Sequence, residues 1–233
     1  MPGEMPLFDR LEVLDDPSPH DAAFNMAADE VLLEGMEGVP LLRLYRWQRP
    51  SLSFGYFTPY AAVAEHEASR DLVRRWTGGG VVEHGGDLTY SLLVPRSHPL
   101  TNGSMGTSYH LIHDAVRQAL CRAGFGETRF APEVQSVPDA AARGCFEHPV
   151  HHDLLCGGHK IGGAAQRRTR RGLLHQGSIL LPGCGSSVLE TVAEALPLTL
   201  GRRLAACSTQ GLEPSIRELA REKYSVQAWT RRV

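Results

Sequence analysis

Between Asp21 and Gly35 the apolar positions Phe24, Ala27, Ala28, Val31 and Leu32 recur at the spacing of one helix face, with Asp21 placed to cap it and Gly35 to stop it. A broader stripe runs over residues 108–123. Leu111, Ala115 and Ala119 form one row, Ile112, Val116, Leu120 and Ala123 the next, and Gly124 ends the helix. Between these helices the pattern shortens to β-rich runs. Residues 41–47 and 51–56 read as strands around a Gln48-Arg49-Pro50 turn, 72–76 as a strand entering Thr77-Gly78-Gly79-Gly80, and 87–95 as another after Gly85-Gly86. Pro59 suits the first turn of a short helix reaching Ser69. Beyond Gly124 a short strand is expected over 127–130, then a Pro- and Ala-rich loop to about Gly144. From Asp153 the chain turns β again through Gly157-Gly158, 160–168 and 173–181, and two helices are expected over 187–196 and 214–221. Helices interspersed with hairpins, without regular βαβ alternation, predict an α+β fold around a mixed or antiparallel sheet.

The 233 residues, 42% hydrophobic and 21% charged, suffice for a packed core and argue against disorder. Twenty-four basic against 26 acidic side chains leave a net charge of −2, which excludes a nucleic-acid binder working by bulk charge. No run approaches the ~20 apolar residues of a membrane span. Residues 1–16, with Glu4, Asp9, Glu12, Asp15 and Asp16, lack the basic start and apolar stretch of a secretory leader. Cys121, Cys145, Cys156, Cys184 and Cys207 are odd in number and show no CxxC spacing, so reduced thiols fit better than a disulfide framework. A cytoplasmic protein with no nucleic-acid or membrane partner is expected.

Only Lys160 and Lys223 are lysines; the other 22 basic residues are arginines. A GC-rich genome accounts for most of that bias. A lysine kept against it suits work for which guanidinium is unfit, as a compact point charge that can lose its proton when buried. Two constellations offer such work. In Arg74-Arg75-Trp76-Thr77-Gly78-Gly79-Gly80-Val81-Val82-Glu83-His84, three glycines after a strand let the backbone approach a ligand and present N–H groups, with arginines beside them. The stretch matches neither GxGxxG nor GxxxxGK[ST], so no ordinary dinucleotide or P-loop site is predicted, and a plain hairpin is the simpler reading.

In the second constellation, Gly158-His159-Lys160-Ile161-Gly162-Gly163-Ala164-Ala165-Gln166-Arg167-Arg168, a turn lysine is followed by small residues. A turn lysine alone is usually a solvated charge, but the small residues leave room for something bulky along the strand. Arg167, Arg168, Arg170 and Arg171 form the only dense basic run, either a solvated hairpin tip or a docking patch for an acidic partner. Cys145, His148, His151, His152, Asp153, Cys156 and His159 fall within 15 residues, yet their spacing fits no zinc pattern and no metal site is predicted.

Arg75-x-Thr77-Gly78-Gly79-Gly80-x-x-x-His84 with Asp87-Leu88-x-Tyr90-Ser91 resembles the lipoate–protein ligase and octanoyltransferase family of the biotin/lipoate ligase superfamily. So does Lys160-Ile161-x-Gly163-x-Ala165-Gln166-Arg167-Arg168 with His175-x-Gly177-Ser178-Ile179-Leu180. Asn25-Met26-Ala27-x-Asp29-Glu30 is similar to the family's first helix, and Arg43-Leu44-Tyr45-x-Trp47 through Gly55-Tyr56-Phe57 to its first hairpin. Four motifs thus occur in order over about residues 20–195. The resemblance implies one catalytic domain over 1–233, with 196–233 a short C-terminal helical extension and no accessory domain. It also implies an apolar tunnel for a lipoyl or octanoyl chain. The activated carboxyl end would be gripped by Arg75, Thr77, Gly78, Gly79, Gly80, His84, Gly163, Ala165, Gln166, His175 and Gly177.

Gly144-Cys145-Phe146-x-x-Pro149, ahead of Asp153 and Lys160, is similar to the cysteine motif of the LipM-type octanoyltransferases, which implies Cys145 as nucleophile and Lys160 as its catalytic partner. Read without that resemblance, a lone cysteine before a phenylalanine is core packing. A thiolate attacks a carrier thioester at little cost, and turning a thioester into an amide is downhill, so octanoyl transfer implies no cofactor. Lys160 would lower the Cys145 pKa or polarise the carbonyl, with the N–H groups of residues 78–80 as oxyanion site. The implied donor is octanoyl-acyl carrier protein or lipoate, and the implied acceptors are lipoyl domains of the glycine-cleavage H protein or 2-oxoacid dehydrogenase subunits.

Gly80 stands where LipM-type enzymes commonly carry Arg, and Thr58 where a Gln is frequent. An ATP- and Mg-dependent lipoate–protein ligase acting through lipoyl-AMP therefore stays open, as does a non-catalytic lipoyl-domain or carrier-binding protein.

Overall fold

The computed structural model describes residues 6–133 and 149–232. Eight of its strands form one mixed sheet. β1 (Phe8–His20) runs parallel to both neighbours, β2 (Leu41–Trp47) and the edge strand β11 (Gly201–Ala206). From β2 the sheet continues antiparallel through β6 (Leu88–Pro95), β10 (Gly172–Ile179), β9 (His159–Arg168), β8 (Leu154–Cys156) and β7 (Arg129–Phe130). A second sheet has β3 (Ser51–Phe54) at its centre, parallel to β4 (Asp71–Arg74) and antiparallel to β5 (Val81–His84).

Side-chain alternation divides the large sheet into two apolar faces. Tyr90, Leu92 and Val94 of β6 pack with Ile112, Val116 and Leu120 of α2 (Met105–Arg122) and with Val192 and Leu196 of α3 (Ser186–Leu200). Leu93 and Leu174 turn to the other face and meet Leu32 and Leu33 of α1 (Ala22–Glu34). The Asp21 carboxylate caps α1 by accepting the Phe24 N–H at 2.7 Å.

The α+β class and most elements follow the hydrophobic pattern, and the differences have local causes. β1 is unforeseen, because Asp15, Asp16 and Pro17 interrupt its apolar positions and its register with β2 shifts between Asp16 and His20. The helix expected over 59–69 is instead two single 3-10 turns, Tyr60–Ala62 and Ala64–His66, with Val63 between them at φ −129°. The segment from 196 onward is not simply a helical extension. It completes α3, adds β11 to the sheet, and only then forms α4 (Glu213–Leu219), a π turn (Ala220–Tyr224) and α5 (Gln227–Thr230).

A single buried side chain ties that last segment down. The Arg74 guanidinium donates to the carbonyls of Gly55, Tyr56 and Thr58 and to those of Trp229, Thr230 and Arg232. Trp229 returns a bond from its indole N–H to the Arg74 carbonyl at 3.0 Å.

A second arginine lies in the heart of the sheet. Arg43 is fully buried and pairs with Asp29 at 3.0 Å and Asp16 at 3.2 Å. It also donates to the backbone and side-chain oxygens of Asn25 and covers the Tyr45 ring at 4.2 Å. The other Asp29 oxygen accepts from Ser91 at 2.5 Å and from Gln176 at 2.8 Å.

Beneath α2 the core holds two histidines. His175, expected at the ligand, is fully buried on the α2 face of β10, and its rings of contact are Tyr90, Tyr109 and His113. Alternation along β10 decides this, since Gln176 and not His175 shares the α1 face. Gln166 accepts from Ser108 at 3.0 Å and donates to His175 Nδ1 at 2.9 Å, which requires that nitrogen to be unprotonated. Burial drives both imidazoles towards the neutral form, His113 down to about 4 and His175 well below its ordinary range, where His113 adds repulsion.

Two outcomes are expected. Arg43→Met strands the Asp29 and Asp16 carboxylates and should lower unfolding free energy by about 3–5 kcal/mol in urea titrations. His113 and His175 bind fewer protons folded than unfolded, so their full stability is present above pH ~6.5. It should fall as pH drops towards 4, by about 1.4 kcal/mol per unit for each histidine, and His113→Gln should flatten the slope in denaturant midpoints measured from pH 7.5 to 5.

Candidate functional site

The glycine-rich loop joins β4 to β5 and is built to one shape. A Cβ on Gly55 would stand 1.9 Å from the Gly79 carbonyl oxygen, so only glycine admits the approach, and Gly79 itself sits at φ +84°. The loop's carbonyls are all held. Arg75 Nη2 donates to Gly78 O at 2.9 Å and Gly80 O at 2.7 Å, Thr58 Oγ1 to Gly79 O at 3.3 Å, and the Tyr56 N–H to Thr77 O at 2.8 Å. Arg75 Nη1 goes to Ser53 Oγ at 2.8 Å. Arg75, expected to add charge to a ligand contact, thus spends donors on shaping the loop. Thr77 donates to Gln176 Oε1 at 2.7 Å, which links the loop through Gln176 to Asp29 and Arg43.

The lysine hairpin meets this loop from the large sheet. Lys160 is buried, its ammonium 2.6 Å from Asp153 Oδ2, and Asp153 has no exposure at all. Tyr109 of α2 donates to Asp153 Oδ1 at 2.6 Å and accepts the Ala164 N–H at 2.9 Å, while the Val150 N–H donates to Asp153 Oδ2 at 2.7 Å. The lysine is laid across Gly163, where a Cβ would come within 2.6 Å of Lys160 Cε and 2.8 Å of Nζ. Two residues on, Ala165 Cβ is 3.2 Å from the point where a Gly79 Cβ would stand, so loop and hairpin are in contact.

Between them lies a slot of about 450 Å³, counting its open mouth. Arg75, Gly79, His84, Gly163, Ala165 and Gly177 line it among the expected residues, joined by Met26, Tyr45, Trp47, Val82 and Gln176. Gly177 is glycine because a Cβ there would overlap the Tyr90 ring at 2.2 Å. His84 stacks on Trp47 at 4.0 Å, contacts Ser53 Oγ at 2.7 Å and donates to Asp87 at 2.9 Å. Burial would raise the Asp87 carboxyl, but the charge and hydrogen bond of His84, with bonds from Ser178 and Thr89, outweigh it and hold Asp87 below the usual carboxylate range. An outer groove, lined by Gly78, Gly79, Met105, Tyr109, His152 and Gln166 among others, shares Gly79, Ala164 and Ala165 with the slot and leads to the surface.

Thr77 and Gly80 support the loop from behind, and His175 does not line the slot. The expected arginine patch divides. Arg168 donates to the carbonyls of Thr101, Gly103 and Ser104 and so fastens the start of α2, and Arg167 donates to Trp76 O at 3.0 Å. Only Arg170 and Arg171 are exposed at the hairpin tip. Cys145 lies outside the described residues. Among the described residues no group of three His, Cys, Asp or Glu side chains is arranged to hold a metal ion, and no helix is long and apolar enough to cross a membrane.

Asp29, Gln176, Asp87, Asp153 and Tyr109 carry much of this geometry and had no assigned role from sequence. A signal existed for the first: Arg43 interrupts the apolar strand Leu41–Trp47, and Asn25 and Asp29, four apart, put polar groups on one face of α1. For Tyr109 and Asp153, 44 positions apart, no local pattern announces the pairing.

The catalytic-domain model of lipoyl protein ligases A/B matches residues 21–233, well past residue 195. Octanoyltransferase LipM of Kyrpidia tusciae is 38% identical over 172 residues, 69% of this chain and 62% of that protein. The same-named protein of Moorella thermoacetica is 35% identical over 191 residues, 78% of this chain and 70% of its own. The chain thus spans somewhat less than two thirds of the first relative's length. A solved T. acidophilum protein with bound lipoic acid superposes with a TM-score of 0.73 at 22% identity, covering 97% of this chain and 99% of that one. Lipoate-protein ligase A bound with ATP gives 0.72 at 24% identity, covering 96% and 98%. At those identities the structural likeness is one of fold. The family match over nearly the whole chain, on a fold whose loop and lysine hairpin converge, means that the chain belongs to the lipoyl protein ligase A/B catalytic domain family.

Proposed function

We propose that the chain is an octanoyltransferase. In the cytoplasm it would take octanoyl from acyl carrier protein onto Cys145 and pass it to a lysine of a lipoyl domain, without ATP. The supporting names are those of the relatives at 35–38% identity. The observation that carries the reading is Lys160, a buried ammonium held by Asp153 and laid against Gly163, which lines the slot although the lysine itself lies just behind that lining. A buried cation next to the slot lining suits a carbonyl that gains negative charge as it is attacked. The slot's remaining wall, with Met26, Tyr45, Trp47 and Val82, suits a slender apolar chain.

The chemistry balances without a cofactor. The Cys145 thiolate adds to the donor's thioester carbonyl, the carrier's thiolate leaves, and the acyl group rests on Sγ. The neutral amine of the acceptor lysine then attacks, the Cys145 thiolate departs, and the amine's proton is released to base. Lys160 faces the carbonyl oxygen in both steps, and Asp153 keeps it oriented. Lipoyl-AMP formation, the ligase alternative, would use the same lysine against an adenylate.

Incubation with octanoyl-carrier protein should add one octanoyl to Cys145 in a peptide mass spectrum, and Cys145→Ala should abolish transfer. An unmodified Cys145 with activity kept in that variant refutes the reading, and pyrophosphate released from lipoate plus ATP would favour the ligase. Lys160→Ala should cost about a hundredfold or more in single-turnover acylation. Gly163→Ala, which pushes the lysine off its seat beside the buried Asp153, should lose up to about a hundredfold in the same assay and melt at a lower temperature than wild type.

A further inference from the structure

Six side chains beside the glycine-rich loop close into a ring in which cation and aromatic alternate. The Lys223 ammonium lies 5.1 Å from the centre of the Trp76 ring and 4.3 Å from that of Trp229. The Arg167 guanidinium is 4.5 Å from Trp76 and 5.4 Å from Tyr56. Arg232 completes the circuit at 4.5 Å from Tyr56 and 5.1 Å from Trp229. Every aromatic is shared by two cations.

An aromatic face orients a cation without cancelling its charge, whereas a carboxylate would do both. Lys223 has a carboxylate partner, Glu30 at 2.6 Å. Among the described residues no ion pair is formed by Arg167 or Arg232, and the buried Nε of Arg167 has no hydrogen-bond partner. On a chain of net charge −2, the two arginines of the ring are therefore a local positive excess held by neutral groups.

Position and composition give this charge a meaning. Trp76 directly precedes Thr77, the Tyr56 N–H bonds the Thr77 carbonyl, and Arg167 follows Ala165 on the slot-facing side of β9. The ring thus adjoins the glycine-rich loop and the slot wall at Ala165, just outside the slot's own lining. Phe57 stands beside it, 77% exposed, with its ring edge-on to Tyr56 at 4.9 Å. An exposed phenylalanine next to Arg, Trp and Tyr is the composition of a protein–protein contact centre.

We infer that this cation–aromatic ring with Phe57 is the docking surface for the acyl-donor protein, which presents a carboxylate-rich face to it. The inference rests on the transfer reading above and moves the docking patch away from the exposed tip at Arg170 and Arg171. The donor is the partner chosen because the ring's uncompensated positive charge adjoins the slot that takes its acyl group, and the phosphodiester that joins a carrier's arm to its protein adds negative charge to match it.

Binding of fluorescently labelled octanoyl-carrier protein, followed by anisotropy, tests this without requiring turnover. Phe57→Ala and Arg232→Glu should each weaken binding about tenfold. Both keep the Arg232 backbone carbonyl that Arg74 holds. Wild-type affinity should fall steeply between about 50 and 300 mM salt. The control Arg171→Glu should bind like wild type. Melting temperature and octanoyl transfer from octanoyl-N-acetylcysteamine, a donor with no protein part, should be unchanged in Phe57→Ala and Arg232→Glu. The assignment is overturned if both variants bind the carrier normally, if Arg171→Glu is as weak as they are, or if only lipoyl-domain binding suffers. A wild-type protein that binds the carrier in this pattern yet never transfers octanoyl would support the surface and refute the transfer reading instead.

Discussion

A full positive charge on Arg43 sits in the middle of the large sheet with no access to water, and the architecture is arranged around its neutralisation. Leaving such a charge unpaired in an apolar interior would be prohibitive, so α1 must dock with Asp29 and Asn25 facing β2, and β1 must bring Asp16 alongside. Asp29 has lone pairs to spare after that pairing. They are taken by Ser91 and Gln176, and Gln176 in turn receives the Thr77 hydroxyl. The conformation of the glycine-rich loop is in this sense inherited from an ion pair on the opposite side of Gln176.

The lysine hairpin follows the same logic at the slot wall. Asp153 balances Lys160, and Tyr109 and the Val150 N–H use the remaining carboxylate valences. What makes the two hairpins one site is the absence of side chains. Gly55 admits the Gly79 carbonyl, Gly163 gives the lysine a place to lie, and Gly177 yields to Tyr90. Gly55 and Gly177 are needed for close approaches from elsewhere in the chain and cannot be understood from their own neighbours in sequence, whereas Gly163 makes room for a lysine on its own strand. Arg74 extends the arrangement to the last turn, since one guanidinium gathers carbonyls from residues 55–58 and 229–232. The C-terminal segment thereby supports the loop it never touches in sequence.

Much of this was legible beforehand, and for identifiable reasons. The 3.6-residue periods of α1 and α2 and the short apolar runs in β6 and β10 report burial directly, because apolar surface must face a core whatever its partner is. The glycine-rich stretch and the lysine before small residues were visible as places where backbone would be approached. Roles assigned by motif were less secure where a strand's pleat decides direction: His175 belongs to the core and its neighbour Gln176 to the slot, a distinction of one residue. The basic run of residues 167–171 looked uniform, yet Arg168 is a structural donor, Arg167 an aromatic-bound cation, and only the last two are at the tip.

By itself, then, the amino-acid order determined the α+β class, the main helices and strands, the family and the two segments that would meet a ligand, since local periodicity and contiguous motifs encode these. Only tertiary structure decided the strands β1 and β11, the seat of Lys160 on Gly163, the Arg43–Asp29–Gln176–Thr77 chain of bonds and the ring of cations over aromatics. Apart from the lysine and its glycine, which share one strand, these join segments 14 to more than a hundred residues apart, whose complementarity of charge, hydrogen-bonding valence and empty space exists only when the chain is folded.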